Sequence, residues 1–407
     1  MRYVLTGAAG FLGYHARARL AVDPEASVTA LTRADTTPGA LAGAVRDCDV
    51  VLHLAGINRV RDGAESELHD GNVALAEQLV EALDAAQTHR APPTVIYAGS
   101  TQADAGHAGA DSPYGRGKRE AGAVLGAWGE RAGASVVELR FPGLFGEHGR
   151  PDYNSFVATF ADRIVHGRRP VVSGDRSLPL LPVGAAVAHL LAAAGDRHPG
   201  QRTQHPQGTW VLISEIAEQL CQMHDTYAVT GDIPALTSAF DIALFNTLRA
   251  AMWPQAYPLR PQPRVDERGT LVETVRVHGG GGQAFVSTTN PGYRRGDHVH
   301  FTKIERFQVL SGRGLIRLRK MLTDQIIEFA VTGDEPAVID MPTLWTHSIE
   351  NVGTEPLVTA FWANELFDPQ RPDTYPLAVL DGPDRPTPHR DRTTERPADE
   401  RPCQEQR

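Results

Sequence analysis

Over roughly the first 250 residues, short continuous apolar runs alternate with Ala-rich segments. RYVLTG, SVTALTR, DVVLHLAG, TVIYAGS and SVVELRF are the apolar runs, and GNVALAEQLVEALDAA at 71–86 is one of the segments between them. Continuous apolar runs suit strands buried on both faces, so the alternation predicts parallel strands joined by helices in a doubly wound α/β sheet. The rhythm then breaks. Residues 253–264, WPQAYPLRPQPR, hold four prolines and read as a linker. From Val265 on, QAFVSTTN, RFQVLSG, GLIRLRK, IIEFAV, AVIDMP and LVTAFWAN follow one another with turns and no long helix, which predicts an all-β barrel or sandwich. The expected division is 1–252, a 253–264 linker, 265–380, and a charged, Pro-rich tail over 381–407 with too little apolar content to fold.

The run LPLLPVGAAVAHLLAAAG at 178–195 is interrupted by Pro179, Pro182, Gly184 and His189, so it predicts a strand end and a buried helix rather than a membrane span. At 407 residues, 41% hydrophobic and 22% charged, the composition is that of a globular chain with room for two or three cores. A net charge of -9 argues against nucleic-acid or anionic-membrane partners. Cys48, Cys221 and Cys403 are scattered and odd in number, which fits a reducing compartment. Met1-Arg2 runs straight into a strand, so no secretory leader is expected and the predicted location is cytoplasmic.

The candidate chemistry sits at both ends of this architecture. TGAAGFLG places Gly7, Gly10 and Gly13 between the first strand and the first helix, where backbone can approach a pyrophosphate. The second strand ends Leu31-Thr32-Arg33, without the acid that favours NAD; the arginine favours NADPH. Tyr114 and Lys118 are four apart, hence on one helical face, and Ser100 ends the TVIYAGS run. A lysine there can lower the tyrosine pKa and hold a cofactor ribose, while the phenol passes a proton to a carbonyl oxygen and Ser100 bonds the same oxygen. In the second half, GYRRGDHVHFTKIERFQVLSG spaces His298, His300 and Glu305, with His347 following in PTLWTHSIEN. Histidines two apart on a strand share a face, and a carboxylate with a third imidazole can close an N/O metal cage in a barrel. Histidines that fill a core or bind substrate without metal are the competing reading. His278, beside GGGG, reads as a loop residue.

Residues 1–250 resemble the extended short-chain dehydrogenase/reductase family, through the glycine turn, DVVLHLAG, Asn72, Ser100, Tyr114, Lys118 and RFPGLFG at 140–146. The resemblance implies a Rossmann-type fold, a Ser100–Tyr114–Lys118 catalytic set, and cofactor contacts from Gly7, Gly10, Phe11, Leu12, Gly13, Arg33, Leu54 and Ala55, as well as Tyr114 and Lys118. Pro182-Val183-Gly184-Ala185 departs from the family's Tyr-Val-Asp-Asp and is expected to form a loop after its strand, and Gly143 replaces a usual asparagine. The second half resembles the cupins: 292–312 fits their first motif, and Pro342, His347 and Asn351 fit the second, with Leu344 in place of a glycine.

The fusion itself, with VDERGTLVE at 265–273, HLAGINR at 53–59, PDYNSFVATF at 151–160 and NELFDPQRPDTY at 364–375, resembles a family of bifunctional capsular-polysaccharide enzymes. That resemblance implies C3 epimerisation of a UDP-4-keto-6-deoxy-N-acetylhexosamine in the cupin part and reduction of the 4-keto group by NADPH in the other. It also implies zinc or another divalent metal on His298, Glu305 and His347, with His300 as fourth ligand or just behind, His298 contributing to catalysis, substrate contacts at Asn58, Arg59, Asn154 and Ser155, and a homo-oligomer, dimer or tetramer. The alternatives are a single active site with the other domain structural, or a cupin ligand-binding module on a degenerate reductase fold.

Overall fold

The computed structural model describes residues 1–35, 37–61, 64–86 and 91–380. The expected tail, 381–407, lies outside the described residues.

All five apolar runs of the first half form strands, at Arg2–Thr6, Ser27–Leu31, Val50–His53, Thr94–Ser100 and Ser135–Phe141. With Gly200–Gln204 they make one six-stranded parallel sheet. Along the sheet, Ser27–Leu31 and Val50–His53 flank Arg2–Thr6 on opposite sides, so the order reverses there. A reversal of this kind opens a crevice at the C-terminal strand ends, the usual ligand position in doubly wound folds. Helices cover both faces: Phe11–Ala21 and Val183–Ala193 pack on one, Ser66–Ala85 and Pro113–Ala132 on the other. The 178–195 run divides as expected into a strand, Ser177–Pro182, and the helix Val183–Ala193. Contrary to expectation, Pro182–Ala185 is not a loop, because the strand passes directly into the helix at Val183. Among the described residues no helix is long and apolar enough to cross a membrane.

The second half is antiparallel throughout. One sheet orders Gln283–Thr289, Leu357–Ala363, Glu305–Ser311 and Val338–Met341; the other orders Ile326–Thr332, Arg313–Lys320, Trp345–Asn351, Arg294–Val299 and Tyr375–Pro376. The two inner faces enclose Phe307, Val309, Ile316, Leu318, Trp345 and Ile349, the packing of a cupin double-stranded barrel. VDERGTLVE supplies a small exposed hairpin, Arg264–Asp266 against Gly269–Leu271.

The barrel is seated on the first half by both of its ends. Trp253 and Tyr257, in the proline-rich connection, are buried in the core shared by the barrel and the helices Ile213–Thr230 and Ala239–Met252. Residues 253–259 therefore pack, while 260–264 run largely exposed. Behind them lies a buried polar network. Arg306 grips Asp340 through Nε and Nη2 (2.7 and 2.8 Å), Tyr227 donates to Asp340 (2.6 Å), and Arg249 donates to Met341 O (2.6 Å). Burial alone would raise the Asp340 carboxyl, but Arg306 beside it holds it below the usual carboxylate range.

Asp340→Ala should therefore destabilise the fold by about 3–5 kcal/mol, because it leaves Arg306 buried and uncompensated. A thermal midpoint unchanged from wild type would refute this. The sign with pH follows from the depressed pKa: the contribution is complete above pH ~4 and fades as the pH falls through the folded-state value.

A second seam joins the barrel to the first helix. Arg19 donates to Tyr375 Oη (2.9 Å) and lies 4.3 Å from that ring's centroid. Thr343 donates to Glu147 (2.6 Å), and Ala18 packs with Val299, Met321 and Leu344. Leu344 holds φ +65°, a left-handed conformation that glycine adopts without cost, which explains the cupin preference for glycine at that place.

Candidate functional site

The glycine turn is dictated by close approach. Gly7 has φ +69°, and a Cβ on it would lie 2.6 Å from Ala55 N; one on Gly13 would lie 2.3 Å from Gly7 O. Gly10 caps the helix that begins Phe11-Leu12, with no side-chain cap bond and no acid in the first turn. The N–H end of that helix is thus left for an anion from outside the protein. A cleft of about 1320 Å³ opens in front of it, lined by Gly7, Gly10, Thr32, Arg33, Leu54 and Ala55 among others. These residues fit a dinucleotide.

Arg33 begins a 3₁₀ turn, Arg33–Asp35. Asp35, which the sequence reading passed over, accepts from Thr32 N (2.9 Å) and Thr32 Oγ1 (2.6 Å). The nearest acid after the second strand therefore shapes the loop. Asn72 clamps the opposite wall: it donates to Ile57 O and Leu68 O and accepts from Ile57 N.

Ser100, the last residue of the strand Thr94–Ser100, comes up beside Tyr114, close enough to lower the phenol's pKa. Helix Pro113–Ala132, capped by Ser112 accepting from Gly115 N, carries Tyr114 and Lys118. One expectation needs correction. Burial raises the Tyr114 pKa, the Ser100 bond only partly offsets it, and Lys118 is not among the causes. Lys118 points elsewhere, donating to Ala98 O at 2.7 Å and lying 4.6 Å from the Tyr97 ring centroid. Burial lowers its pKa to about 8, against the opposing charge of Glu138. A protonated phenol beside a serine is the arrangement of a proton donor.

The expected substrate contacts divide. Asn58 accepts from Tyr153 Oη (3.0 Å) and Arg59 donates to Asp152 O and Tyr153 O (both 2.6 Å), so both stand at the cleft mouth. Arg150 lies over the same Tyr153 ring at 5.2 Å. Ser155 caps the helix Phe156–Val165 by accepting from Ala158 N, and Asn154 is exposed beside it.

The histidine set closes as a cage. Ligand-capable atoms of His298, His300, Glu305 and His347 all lie within 4.8 Å of one another. Glu305 comes from one sheet, His298 and His347 from the other, and His300 from the turn just past the strand Arg294–Val299. Glu305 Oε2 sits 3.3 Å from His300 Nε2, 3.3 Å from His347 Nε2 and 3.6 Å from His298 Nε2. Burial would raise Glu305, but the three imidazoles hold it well below its usual range. His347 is lowered to about 4, chiefly by burial.

Two ring orientations are fixed from behind. His300 Nδ1 bonds Asp373 O (2.6 Å) and His347 Nδ1 bonds Trp345 O (3.3 Å), which turns each Nε2 inward. Asp373 also accepts from the backbone N–H groups of Thr302 and Lys303, tying down the turn between His300 and Glu305. His298 Nε2 is buried with no hydrogen-bond partner among the described residues. An orphaned imidazole nitrogen, two oriented imidazoles and an ionised carboxylate fit a divalent metal of the zinc type. His278, read as a loop residue, bonds Asp232 (2.9 Å) and ties the barrel's first segment to the other half.

The fold and the two sites define an extended short-chain dehydrogenase/reductase joined to a cupin barrel. Family models agree: residues 3–194 match the NAD dependent epimerase/dehydratase family, and 264–375 match the polysaccharide biosynthesis C-terminal domain. The chain belongs to the family of the UDP-2-acetamido-2,6-beta-L-arabino-hexul-4-ose reductase of Pseudomonas aeruginosa, with which it is 31% identical over 94% of its length and all of the relative's. It is similar to the capsular polysaccharide assembling protein CapF of Staphylococcus aureus, at 33% identity, TM-score 0.59, and 93% and 100% of the two chains. A UDP-N-acetylglucosamine 4-epimerase of Methanobrevibacter ruminantium shares the fold of the first half, at 19% identity and TM-score 0.51 over 61% of this chain and 97% of its own.

Proposed function

We propose that this chain is a bifunctional nucleotide-sugar enzyme that epimerises C3 of a UDP-4-keto-6-deoxy-N-acetylhexosamine in the barrel and reduces the C4 ketone in the cleft. The product is a UDP-N-acetyl-6-deoxy-L-talosamine-type sugar nucleotide. The observation that carries the reading is the presence in one chain of a glycine-turn cleft that fits a dinucleotide, a neighbouring Ser100–Tyr114 pair, and a three-His, one-Glu cage in a barrel. Intact chemistry at the first weighs against a barrel sensor on a degenerate reductase.

The nicotinamide supplies the hydride. Tyr114, kept protonated by burial, gives its proton to the ketone oxygen, and Ser100 orients that oxygen. Lys118, one turn along the same helix, would hold the cofactor ribose by exchanging its bond to Ala98 O. Gly7, Gly10, Gly13 and the open helix end receive the pyrophosphate, between Phe11-Leu12 and Leu54-Ala55. At the cage, His300, Glu305 and His347 would hold a divalent ion, which supplies Lewis acidity toward a keto oxygen. A proton on the carbon next to a ketone is acidic, and with the ion held by those three, His298, the least buried imidazole with its side chain 22% exposed, would remove it, reprotonation on the opposite face inverting C3. Asn58 and Arg59 sit at the mouth to meet the nucleotide, with Asn154 and Ser155 beside them. The working location is the cytoplasm, and the working form a homo-oligomer.

The test is incubation with NADPH and the 4-keto sugar nucleotide, followed by NMR of the product. An unreduced or C3-unchanged sugar would overturn the reading. NADPH rather than NADH is supported by Arg33 on the cleft wall and by Asp35 being engaged with Thr32. Arg33→Ala should raise the KM for NADPH about tenfold or more, and that for NADH much less, because only NADPH carries the 2′-phosphate. Equal effects on both cofactors would remove Arg33 from the phosphate site.

A further inference from the structure

We propose that Arg295 holds the diphosphate of the sugar nucleotide at the mouth of the barrel. The inference rests on the epimerase reading of the cage and names the residue that captures its substrate.

Plain alternation along Arg294–Val299 would turn Arg295 and His298 to opposite faces. A bulge between Gly296 and His298, with Asp297 at φ +58°, adds one residue. The register shows the result: Arg295 pairs with Ile349 and His298 with His347. Ile349 and His347 are two apart on one strand and so share a face, and cross-strand partners face the same way. The bulge therefore brings a cation onto the face that carries the cage.

That face has a direction. Phe285 stacks on Phe361 (centroids 4.9 Å), Phe361 meets Phe307 (4.6 Å), and Phe307 meets His347 (5.7 Å). Exposure falls along the same path, from 41% at Phe285 through 8% and 3% to 0% at His347. An aromatic wall thus runs from solvent to the cage. Arg295 is exposed and donates to Thr289 Oγ1 and Thr288 O (both 3.2 Å), further along the strand that carries Phe285. Those two bonds orient the guanidinium without neutralising it, and no acidic residue pairs with it among the described residues.

Between Phe285 and the Thr289 end of the strand, polar groups wait for partners. Ser287 and Thr359 are directly opposed across two strands, on the face of Phe285 and Phe361. Their hydroxyls are buried without a hydrogen-bond partner among the described residues, as is His298 Nε2. Unmet buried hydroxyls are costly and suit a ligand that brings its own donors and acceptors. Hydroxyls inside, an imidazole and carboxylate at the end, and an open cation outside match a sugar ring entering first with an anionic diphosphate behind. Three residues of strand separate Arg295 from His298, roughly 10 Å at most, a span comparable with that from a hexose ring to its diphosphate.

The test is C3 hydrogen–deuterium exchange of the 4-keto sugar nucleotide in D₂O without NADPH, with UDP as competitor, on the full chain. Arg295→Gln should raise the KM for exchange about tenfold or more, as loss of charge-assisted hydrogen bonds does. UDP inhibition should weaken by the same factor, kcat should change little, and Arg295→Lys should recover part of the loss. Unchanged KM and UDP inhibition in Arg295→Gln, or a fall in kcat with KM untouched, would overturn the assignment while leaving the epimerase in place. Absence of exchange in the wild type, with NADPH oxidation intact, would bring down the epimerase reading and this one with it.

Discussion

Tyr114→Phe should abolish NADPH-dependent reduction of the 4-keto sugar nucleotide, lowering kcat by about a hundred- to ten-thousand-fold. The substitution removes one oxygen, keeps the ring and leaves Ser100 still accepting from Gln102 N. The phenol stands on the helix Pro113–Ala132 beside Ser100, the position from which it would meet a carbonyl oxygen. Because burial raises its pKa, the wild-type rate should hold from neutral toward alkaline pH and fall only when the phenol begins to lose its proton. KM for the sugar should move little, since the bond to the oxygen matters most as charge develops on it. Deuterium exchange at C3 should continue in the variant, because the barrel does not use Tyr114. Reduction at the wild-type rate would dismiss the tyrosine, and with it the reductase assignment.

The second large effect is expected at Glu305. Its carboxylate stands within 3.6 Å of three imidazole nitrogens and is the cage's single negative charge. Glu305→Gln keeps the shape and removes the charge, so metal affinity should drop by at least the ~100-fold that loss of a supporting partner alone costs. Metal content by mass spectrometry should fall, and C3 exchange with it, while Tyr114-dependent reduction of a sugar already epimerised should persist. Chelation of the wild type should reproduce the loss of exchange and lower the barrel's thermal stability by about 2–3 kcal/mol for an ion held at a hundred times its dissociation constant. A variant that keeps its metal and its exchange rate would show that the cage is a packed histidine cluster. His298→Ala separates two roles further: loss of exchange with metal retained would make His298 the proton carrier.

The strands of both halves were legible because their apolar runs obey periods that burial imposes locally. A parallel strand covered on both faces has no polar position to spare, and RYVLT or VVLH shows none. The antiparallel strands 283–289 and 305–311 were equally readable, but Arg294–Val299 and Trp345–Asn351 were not, since their ligand histidines and glycines interrupt the pattern. The cage was legible as spacing. Its fixing was not: Asp373 and Trp345 act through main-chain oxygens, which carry no side-chain signature. Asp35 could have been noticed as an acid shortly after the second strand. Arg150 and Tyr153 had no such cue, because only the fold brings residues 58–59 and 150–153 to one cleft mouth.

Residue types and their spacing thus determined, without coordinates, that this chain carries a glycine turn before a helix, a serine followed by a Tyr–Lys pair, and an HxH…E…H set in a β-rich half. These are local facts, governed by backbone periods and by the donor atoms that each chemistry requires. Tertiary structure decided what the groups do to one another. Burial, which depends on everything packed around a residue, raised the tyrosine that lysine was expected to lower, and turned Lys118 to Ala98 O. A bulge one residue long set Arg295 on the cage face, and sheet pairing between segments far apart in the chain brought Glu305 to three imidazoles. Register and dielectric surroundings are properties of the assembled fold, and no stretch of sequence contains them.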